Sequence, residues 1–170
     1  MAEDAVGLLN YLGVDQAHII AASIGGLIAQ ILGIKHPRRV RSLGLEITTP
    51  GLHDENLSRT PSAFLEEMLE SAILGIKGKT IEATLEIAPA YHGPRFEFDE
   101  LKVRQRAQST LSHGYNPNVL HSLAIDTTPS QLPLLREISV PTITIHGFGH
   151  PLIPLHHGIA LKDGIHGSEL

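Results

Sequence analysis

Ser23 is the residue whose type and neighbours best suit covalent chemistry. It follows the apolar stretch 17–22 (AHIIAA), which predicts a buried strand, and it precedes a run with helical periodicity that opens with IGG. A tight turn between strand and helix needs small residues two positions before and two positions after the serine, and Ala21 and Gly25 lie there. A serine on such a strand–turn–helix corner is the arrangement called a nucleophile elbow.

The helix that follows Ser23 would supply the electrostatics of such a site. Backbone N–H groups at a helix N-terminus lack intrahelical partners and carry the positive end of the helix dipole, so they suit the oxyanion of an acyl-transfer intermediate. A second interpretation is that Ser23 only caps an ordinary crossover helix, since serine is a favoured capping residue. The sequence leaves both interpretations open.

The composition argues against several other classes of function. The chain has 170 residues, a formal net charge of -5 and no cysteine. Its longest basic run, RRVR at 38–41, gives little support for nucleic-acid binding, and no apolar run approaches the roughly 20 residues of a membrane span. The first residues carry Glu3 and Asp4 rather than the basic start of a signal peptide. We therefore expect a cytoplasmic protein that binds neither nucleic acid nor membrane and holds no metal or cofactor.

Apolar periodicity and chain breakers divide the chain into elements. Three apolar stretches predict strands at 17–22, 42–47 and 141–146. Helical spacing, with glycine and proline as breaks, predicts helices at 3–12, 24–36, 62–74, 80–90, 99–112, 117–125 and 155–164. Helices that alternate with strands without hairpin signals are typical of a parallel sheet, so the predicted fold class is α/β.

The long helical stretch between the second and third strands departs from that alternation. From about residue 61 to 136 the sequence predicts helices only, which indicates a helical lid inserted into the sheet domain. We therefore divide the chain into a core with the elbow at 1–52, a helical cap at 53–137 and a further, incomplete part of the core at 138–170.

Five stretches of the sequence together resemble the α/β-hydrolase superfamily, nearest its aclacinomycin-methylesterase-like and cofactor-free haloperoxidase-like branch. They are MAEDAVGLLNYLGVDQAHII, AASIGGLIAQ, HPRRVRSLGLEITTPG, FDELKVRQRAQSTLSHGYNP and VPTITIHGFGHPLIPLHHGIAL. The resemblance implies a partial α/β-hydrolase fold whose catalytic serine, acid and histidine come in that chain order. It makes Ser23 the nucleophile, the Ile24 N–H one oxyanion donor, and a small-molecule carboxylic ester the substrate.

Three parts of the family's machinery depart from the pattern. Relatives resemble HG-x-x-D-P after the third strand, whereas this chain reads HGFGHP, which puts His150 at the position of the acid. The resemblance places the catalytic histidine after one more strand, beyond Leu170. It places the loop that carries the second oxyanion donor before Met1.

These departures lead us to expect a chain truncated at both ends, a serine esterase by descent that is inactive as it stands. A partial sheet leaves an exposed edge, so we also expect oligomerisation or a complementing chain. Two alternatives remain: a non-catalytic binding or interaction protein, and one half of an enzyme that is completed in trans.

Glu46 and four histidines offer further chemistry. Glu46 lies near the end of the second strand, where some α/β-hydrolases carry their acid, so a substitute acid role competes with that of a plain strand-end polar residue. Four histidines crowd one region, at 146, 150, 156 and 157. Imidazole pairs bind zinc, so one interpretation is a metal site. The other is that His146 belongs to the family's usual strand-end IHG and that the other three are solvated.

Overall fold

The computed structural model describes residues 1–93, 95–114 and 127–170. Its strands are β1 (Ala17–Ala22), β2 (Val40–Glu46) and β3 (Thr142–Ile145). Its described helices are α1 (Ala2–Tyr11), α2 (Ile24–Lys35), α3 (Ser62–Ile76), α4 (Thr80–Tyr91), α5 (Glu100–Ser112) and α6 (Leu155–Gly164). Short 3-10 turns cover Pro37–Arg39 and Leu132–Glu137. The helix predicted at 117–125 lies outside the described residues, and the other predicted elements are present.

The three strands form one parallel sheet in the order β1–β2–β3, which confirms the parallel arrangement predicted from the sequence. In the last rung Ala22 pairs with Glu46, and Glu46 pairs with Ile145. The carboxyl ends of all three strands therefore finish at one edge of the sheet, and Ser23 follows β1 there. Open α/β sheets carry their sites at this edge.

The two outer sides of the sheet differ. Next to β3, Glu169 forms a parallel bridge with Ile143, and the Thr144 N–H donates to the Glu169 carbonyl at 2.7 Å. On the far side, β1 has no strand partner other than β2 within the described ranges. In this part of the chain β1 is consequently an edge strand.

Helices cover one face of the sheet. The buried core on that face comes from β2, α2, α6 and the segment that leads into β3, and it consists of Ala29, Leu32, Val40, Leu43, Leu45, Leu135, Ile138, Leu161 and Ile165. Full burial of a leucine side chain stabilises a fold by roughly 2 kcal/mol, so this cluster is the main source of stability for the sheet.

The opposite face of the sheet carries exposed apolar side chains. Ile20, Ile143 and Ile145 are 75%, 46% and 50% exposed. Ile20 and Ile143 both lie in register with Gly44, so they share this face. Parallel sheets usually have apolar cover on both faces, and for these residues that cover is incomplete.

The chain divides into two compact units. The first consists of Met1–Arg59, His121–Phe148 and Ile153–Leu170, and it contains the sheet. The second consists of Thr60–Leu120 and Gly149–Leu152. The domain boundaries at 52/53 and 137/138 stay a prediction.

The second unit is built from α3, α4 and α5. The Phe64 ring of α3 is buried and meets the Tyr91 ring of α4 edge to face, with centroids 5.1 Å apart. The Ser71 hydroxyl donates to the Ala83 carbonyl at 2.8 Å, which also joins α3 to α4. Among the described helices of the chain, none is both long and apolar enough to cross a membrane.

Candidate active site

Ser23 has a strained backbone at the carboxyl end of β1. Its φ of 53° and ψ of -125° lie outside the regions that side-chain-bearing residues favour, and its side chain is exposed. Ser23 occupies the N-cap position of α2, but its hydroxyl makes no capping hydrogen bond. The strained turn predicted from the sequence is therefore present. The interpretation of Ser23 as an ordinary capping serine is not supported.

Ile24 opens α2 directly after Ser23. As the first residue of the helix it has no intrahelical acceptor for its N–H, and the positive end of the α2 dipole lies beside it. This geometry suits an oxyanion donor. The assignment of Ile24 to that role stays a prediction.

The turn is packed most tightly at Gly26, one residue after the position expected from the sequence. A Cβ on Gly25 would stand 3.6 Å from the Ala21 Cβ, which is an ordinary contact. A Cβ on Gly26 would stand 2.5 Å from both the Cβ and the Cγ2 of Thr48. The small residues at 21 and 25 do face each other, but the steric limit is stricter at Gly26.

The backbone is also strained just after the end of β2. Ile47 has a φ of 43°, which is rare for a β-branched residue, and its N–H donates to the Ile145 carbonyl at 2.8 Å. The Ser23 N–H donates to the Glu46 carbonyl at 3.0 Å. Thr48, which follows Ile47, is fully buried, and its hydroxyl donates to the Ser23 carbonyl at 2.7 Å. Sequence reasoning did not single out Thr48, although a polar residue just after a strand at this edge is a usable signal.

Glu46, the candidate substitute acid, and His150, at the position of the family's acid, lie in different units. Glu46 ends β2 and is half-buried, and in the described part of the chain no hydrogen bond or ion pair joins its carboxylate to a histidine. His150, at the position of the family's acid, belongs to the second unit, where its ring lies 5.6 Å from the Tyr91 ring. An imidazole at this position cannot supply the negative charge with which an acid orients the catalytic histidine.

His157 is buried, which corrects the expectation of a solvated side chain. Its Nδ1 lies 2.8 Å from the Thr49 hydroxyl, and its Nε2 lies 2.7 Å from the Ser58 carbonyl. A carbonyl can only accept, so Nε2 carries the proton and Nδ1 accepts from Thr49. The Thr49 oxygen in turn accepts the Gly51 N–H at 2.9 Å. Burial is the main cause that lowers the pKa of His157, so the neutral ring fits this network.

The other histidines of this region are more exposed. His156 Nδ1 lies 3.1 Å from the Ser58 hydroxyl, and His146 Nδ1 lies 3.1 Å from the Gly147 carbonyl. Across residues 1–93, 95–114 and 127–170, no three His, Cys, Asp or Glu side chains are grouped so that they could hold a metal ion. The interpretation of this cluster as a metal site therefore has no geometric support.

A cavity of about 500 Å³ lies within the second unit, between α4 and α5. Its wall includes the apolar side chains of Ile87, Phe98 and Val103, together with Tyr91 and Arg106. Burial raises the pKa of the Tyr91 phenol, so that hydroxyl stays neutral well into alkaline solution. The cavity has room for the apolar part of a small molecule.

Comparison with known proteins identifies the family. The sequence profile of the alpha/beta hydrolase fold matches residues 1–167, and the chain belongs to this family. The 2-hydroxymuconate semialdehyde hydrolase of Pseudomonas putida is 26% identical over 99% of this chain. The rhodomycin D methylesterase DauP of Streptomyces sp. (strain C5) is 24% identical over 100% of it.

Solved structures agree on the fold. An esterase from Exiguobacterium antarcticum superposes with a TM-score of 0.76 at 18% identity, and the match covers 99% of this chain and 62% of the esterase. The chain spans 58% of the Pseudomonas hydrolase and 63% of the Streptomyces methylesterase. These 170 residues thus correspond to about three-fifths of each relative.

Proposed function

We propose that the protein is a serine carboxylic-ester hydrolase by descent, with Ser23 as the nucleophile, and that residues 1–170 on their own do not turn over esters. The observation that carries the first half is the left-handed backbone of Ser23 at the junction of β1 and α2. Such strain costs on the order of 1–3 kcal/mol and occurs mainly at functional sites. An ordinary crossover turn does not require it.

The chemistry of such a site is acyl transfer. The Ser23 Oγ bonds to the ester carbonyl carbon and gives its proton to a base, while the Ile24 N–H and the α2 dipole stabilise the oxyanion. The alcohol then leaves with that proton, and water hydrolyses the acyl-serine. The proton transfer is the step that the described residues do not provide.

The proposed lack of activity follows from that missing base. Within the described part of the chain, no hydrogen bond joins the Ser23 hydroxyl to a histidine, and His150 replaces the acid. Loss of one member of a Ser-His-Asp triad lowers the rate by roughly 10⁴ to 10⁶-fold. We therefore expect little or no turnover of activated esters.

The names of the relatives support a small ester as the ancestral substrate. One relative is a methylesterase and another hydrolyses a semialdehyde, so the identity of the acyl group stays open.

The test is esterase turnover and active-serine labelling of the purified 170-residue chain. p-Nitrophenyl acetate hydrolysis should match that of Ser23→Ala, and a fluorophosphonate probe should leave Ser23 unmodified. Ser23-dependent turnover or labelling would refute the proposed inactivity, and a base would then have to act on Ser23 in this chain.

Two other serines provide matched controls. Ser42 Oγ lies 2.7 Å from His18 Nδ1 in a pair across β1 and β2, and Ser58 Oγ lies 3.1 Å from His156 Nδ1. Neither follows a strained strand end, so we expect Ser42→Ala and Ser58→Ala to leave the background rate unchanged. Probe labelling at either serine would identify a different origin for any activity.

A second candidate function, an enzyme completed by another polypeptide, is supported by the exposed apolar face of the sheet. Ile20, Ile143 and Ile145 lie on that face, and β1 is an edge strand among the described elements. The test is to supply the segments of the Streptomyces methylesterase that lie outside its match to this chain, either fused or in trans. Turnover that appears only with those segments and disappears in Ser23→Ala would support completion. No gain, with and without His150→Asp, would favour a non-catalytic binding protein.

A further inference from the structure

The Thr48 side chain contacts the backbone of Ser23, which is the nucleophile in the proposed function. The Ser23 carbonyl accepts two hydrogen bonds, one from the Thr48 hydroxyl at 2.7 Å and one from the Gly26 N–H at 2.9 Å. Thr48 is fully buried, so water cannot easily replace its hydroxyl at that carbonyl. The carbonyl is thus fixed from two sides, by α2 and by the segment after β2.

The Thr48 hydrogen bond helps to hold a backbone conformation of Ser23 that is strained on its own. A serine with a φ of 53° is strained, and such strain persists only where the surrounding structure over-determines it. The Gly26 N–H bond closes the first turn of α2, which many helices have. The Thr48 bond is an additional tertiary contact to the strained residue, beside the bond from the Ser23 N–H to the Glu46 carbonyl.

The path of the chain brings Thr48 to this position. The Ser23 N–H donates to the Glu46 carbonyl, which keeps the ends of β1 and β2 together. Ile47 then turns the chain with its positive φ, and the Thr48 side chain packs against α2 at Gly26, where the lack of a side chain leaves room. The packing of Thr48 against α2 therefore requires a glycine at position 26, because a Cβ there would collide with the Thr48 side chain.

We infer that Thr48 is a positioning residue for Ser23: its buried hydroxyl and its fit against Gly26 hold the elbow in the conformation that aims the Ser23 hydroxyl and the Ile24 N–H. This role rests on the proposed function, which makes Ser23 the nucleophile. Thr48 acts through the Ser23 backbone and has no proposed contact with substrate.

The test compares amide hydrogen exchange in the 170-residue chain and three variants. Thr48→Val keeps the shape and removes the hydroxyl, whereas Thr48→Ser keeps the hydroxyl. Thr142→Val is the matched control, because Thr142 is also buried and its hydroxyl also donates to a backbone carbonyl, that of Val140 at 2.9 Å. Exchange is read in the peptides that contain Ser23 to Gly26 and, for comparison, in those from the core of α6.

Thr48→Val should raise exchange at the elbow by about tenfold, since loss of one buried hydrogen bond corresponds to a factor of that order. Thr48→Ser should stay within about twofold of the parent chain, and α6 should be unchanged in both. Thr142→Val should leave the elbow unchanged. Equal changes at the elbow and in α6, or no elbow change in Thr48→Val, would overturn the inference. If the Thr48→Val chain fails to fold, Thr48→Ser decides: elbow exchange within about twofold of the parent chain supports the role of the hydroxyl, and a larger rise confined to the elbow overturns it.

A second readout separates this inference from the proposed function. In protein completed with the methylesterase segments, fluorophosphonate labelling at Ser23 should be about tenfold slower in Thr48→Val and unchanged in Thr48→Ser and Thr142→Val. Absence of labelling in the completed parent protein would count against the proposed function, while the exchange comparison would still decide the role of Thr48. Labelling at the parent rate in Thr48→Val would overturn the positioning role even where exchange changes.

Discussion

Two adjacent glycines of α2 should respond to alanine in opposite directions. Gly25→Ala and Gly26→Ala add the same methyl group to the first turn of the same helix. At position 25 the new carbon meets the Ala21 Cβ at 3.6 Å, which is a normal contact. At position 26 it would stand 2.5 Å from two carbons of Thr48, so Thr48 or α2 must move by roughly 1 Å.

The magnitudes follow from these contacts. Alanine in a helix gains up to about 1 kcal/mol over glycine, and Gly25→Ala should keep most of that gain. Gly26→Ala has the same gain, but overpacking costs roughly 1–3 kcal/mol, and loss of the hydrogen bond from Thr48 to the Ser23 carbonyl costs about 1 kcal/mol more. Because the gain is common to both variants, we expect their free energies of unfolding to differ by about 2–4 kcal/mol, in favour of Gly25→Ala.

The assay is urea unfolding followed by circular dichroism, at protein concentrations where light scattering reports no association. In a thermal scan of a chain of this size, the same difference corresponds to roughly 4–16 °C in Tm. Thr48→Gly in the Gly26→Ala background should recover part of the loss, because it removes the colliding side chain. Equal stability of the two alanine variants, or no coupling between positions 26 and 48, would refute the proposed fit.

Three further predictions concern other parts of the chain. Because burial lowers the pKa of His157 below its ordinary value of about 6.5, the unfolded chain binds the proton more readily. The free energy of unfolding should thus be constant above about pH 6.5 and decrease below it by up to about 1.4 kcal/mol per pH unit. In urea titrations at a series of pH values, His157→Gln should remove this slope and His156→Gln should keep it. The chain should self-associate through the exposed sheet face, so Ile20→Thr should reduce association in sedimentation velocity. The control is Ile76→Thr, which should have no effect although the Ile76 side chain is exposed to a similar degree; a monomeric parent chain would contradict the prediction. Burial raises the pKa of Tyr91, so ultraviolet titration should contain a late-titrating tyrosine that Tyr91→Phe eliminates.

The local pattern was sufficient to predict the elements and the elbow. An apolar stretch, a serine and a glycine-rich helical run lie next to one another in sequence, so their geometry depends mainly on neighbours. The strand predicted at 141–146 is present as β3, although it begins only at Thr142, because Pro141 lacks an N–H for a sheet hydrogen bond. Predictions of this kind succeed because the interactions that decide them are short in range.

The contacts between distant residues were not predictable in the same way. His157 and its neighbour His156 have identical side chains, yet one is fully buried and the other exposed. What separates them is the loop after β2, which brings Thr49 and the Ser58 carbonyl to His157 from a region about a hundred residues earlier. The tight fit of Gly26 against Thr48 is also a tertiary contact, and the sequence motif pointed to Gly25 instead.

The geometry of Ser23 is independent of the residues that would activate it. Its backbone is fixed by the Glu46 carbonyl at the end of β2, by Thr48 in the segment after β2 and by the first turn of α2. These contacts come from a continuous segment of the first unit, and none of them involves a histidine or a catalytic acid. A strained serine of this kind can thus be fully formed while its hydroxyl remains an ordinary alcohol. For this reason elbow geometry and probe reactivity have to be measured separately: the first tests the contacts within this segment, and the second tests whether a base reaches the hydroxyl.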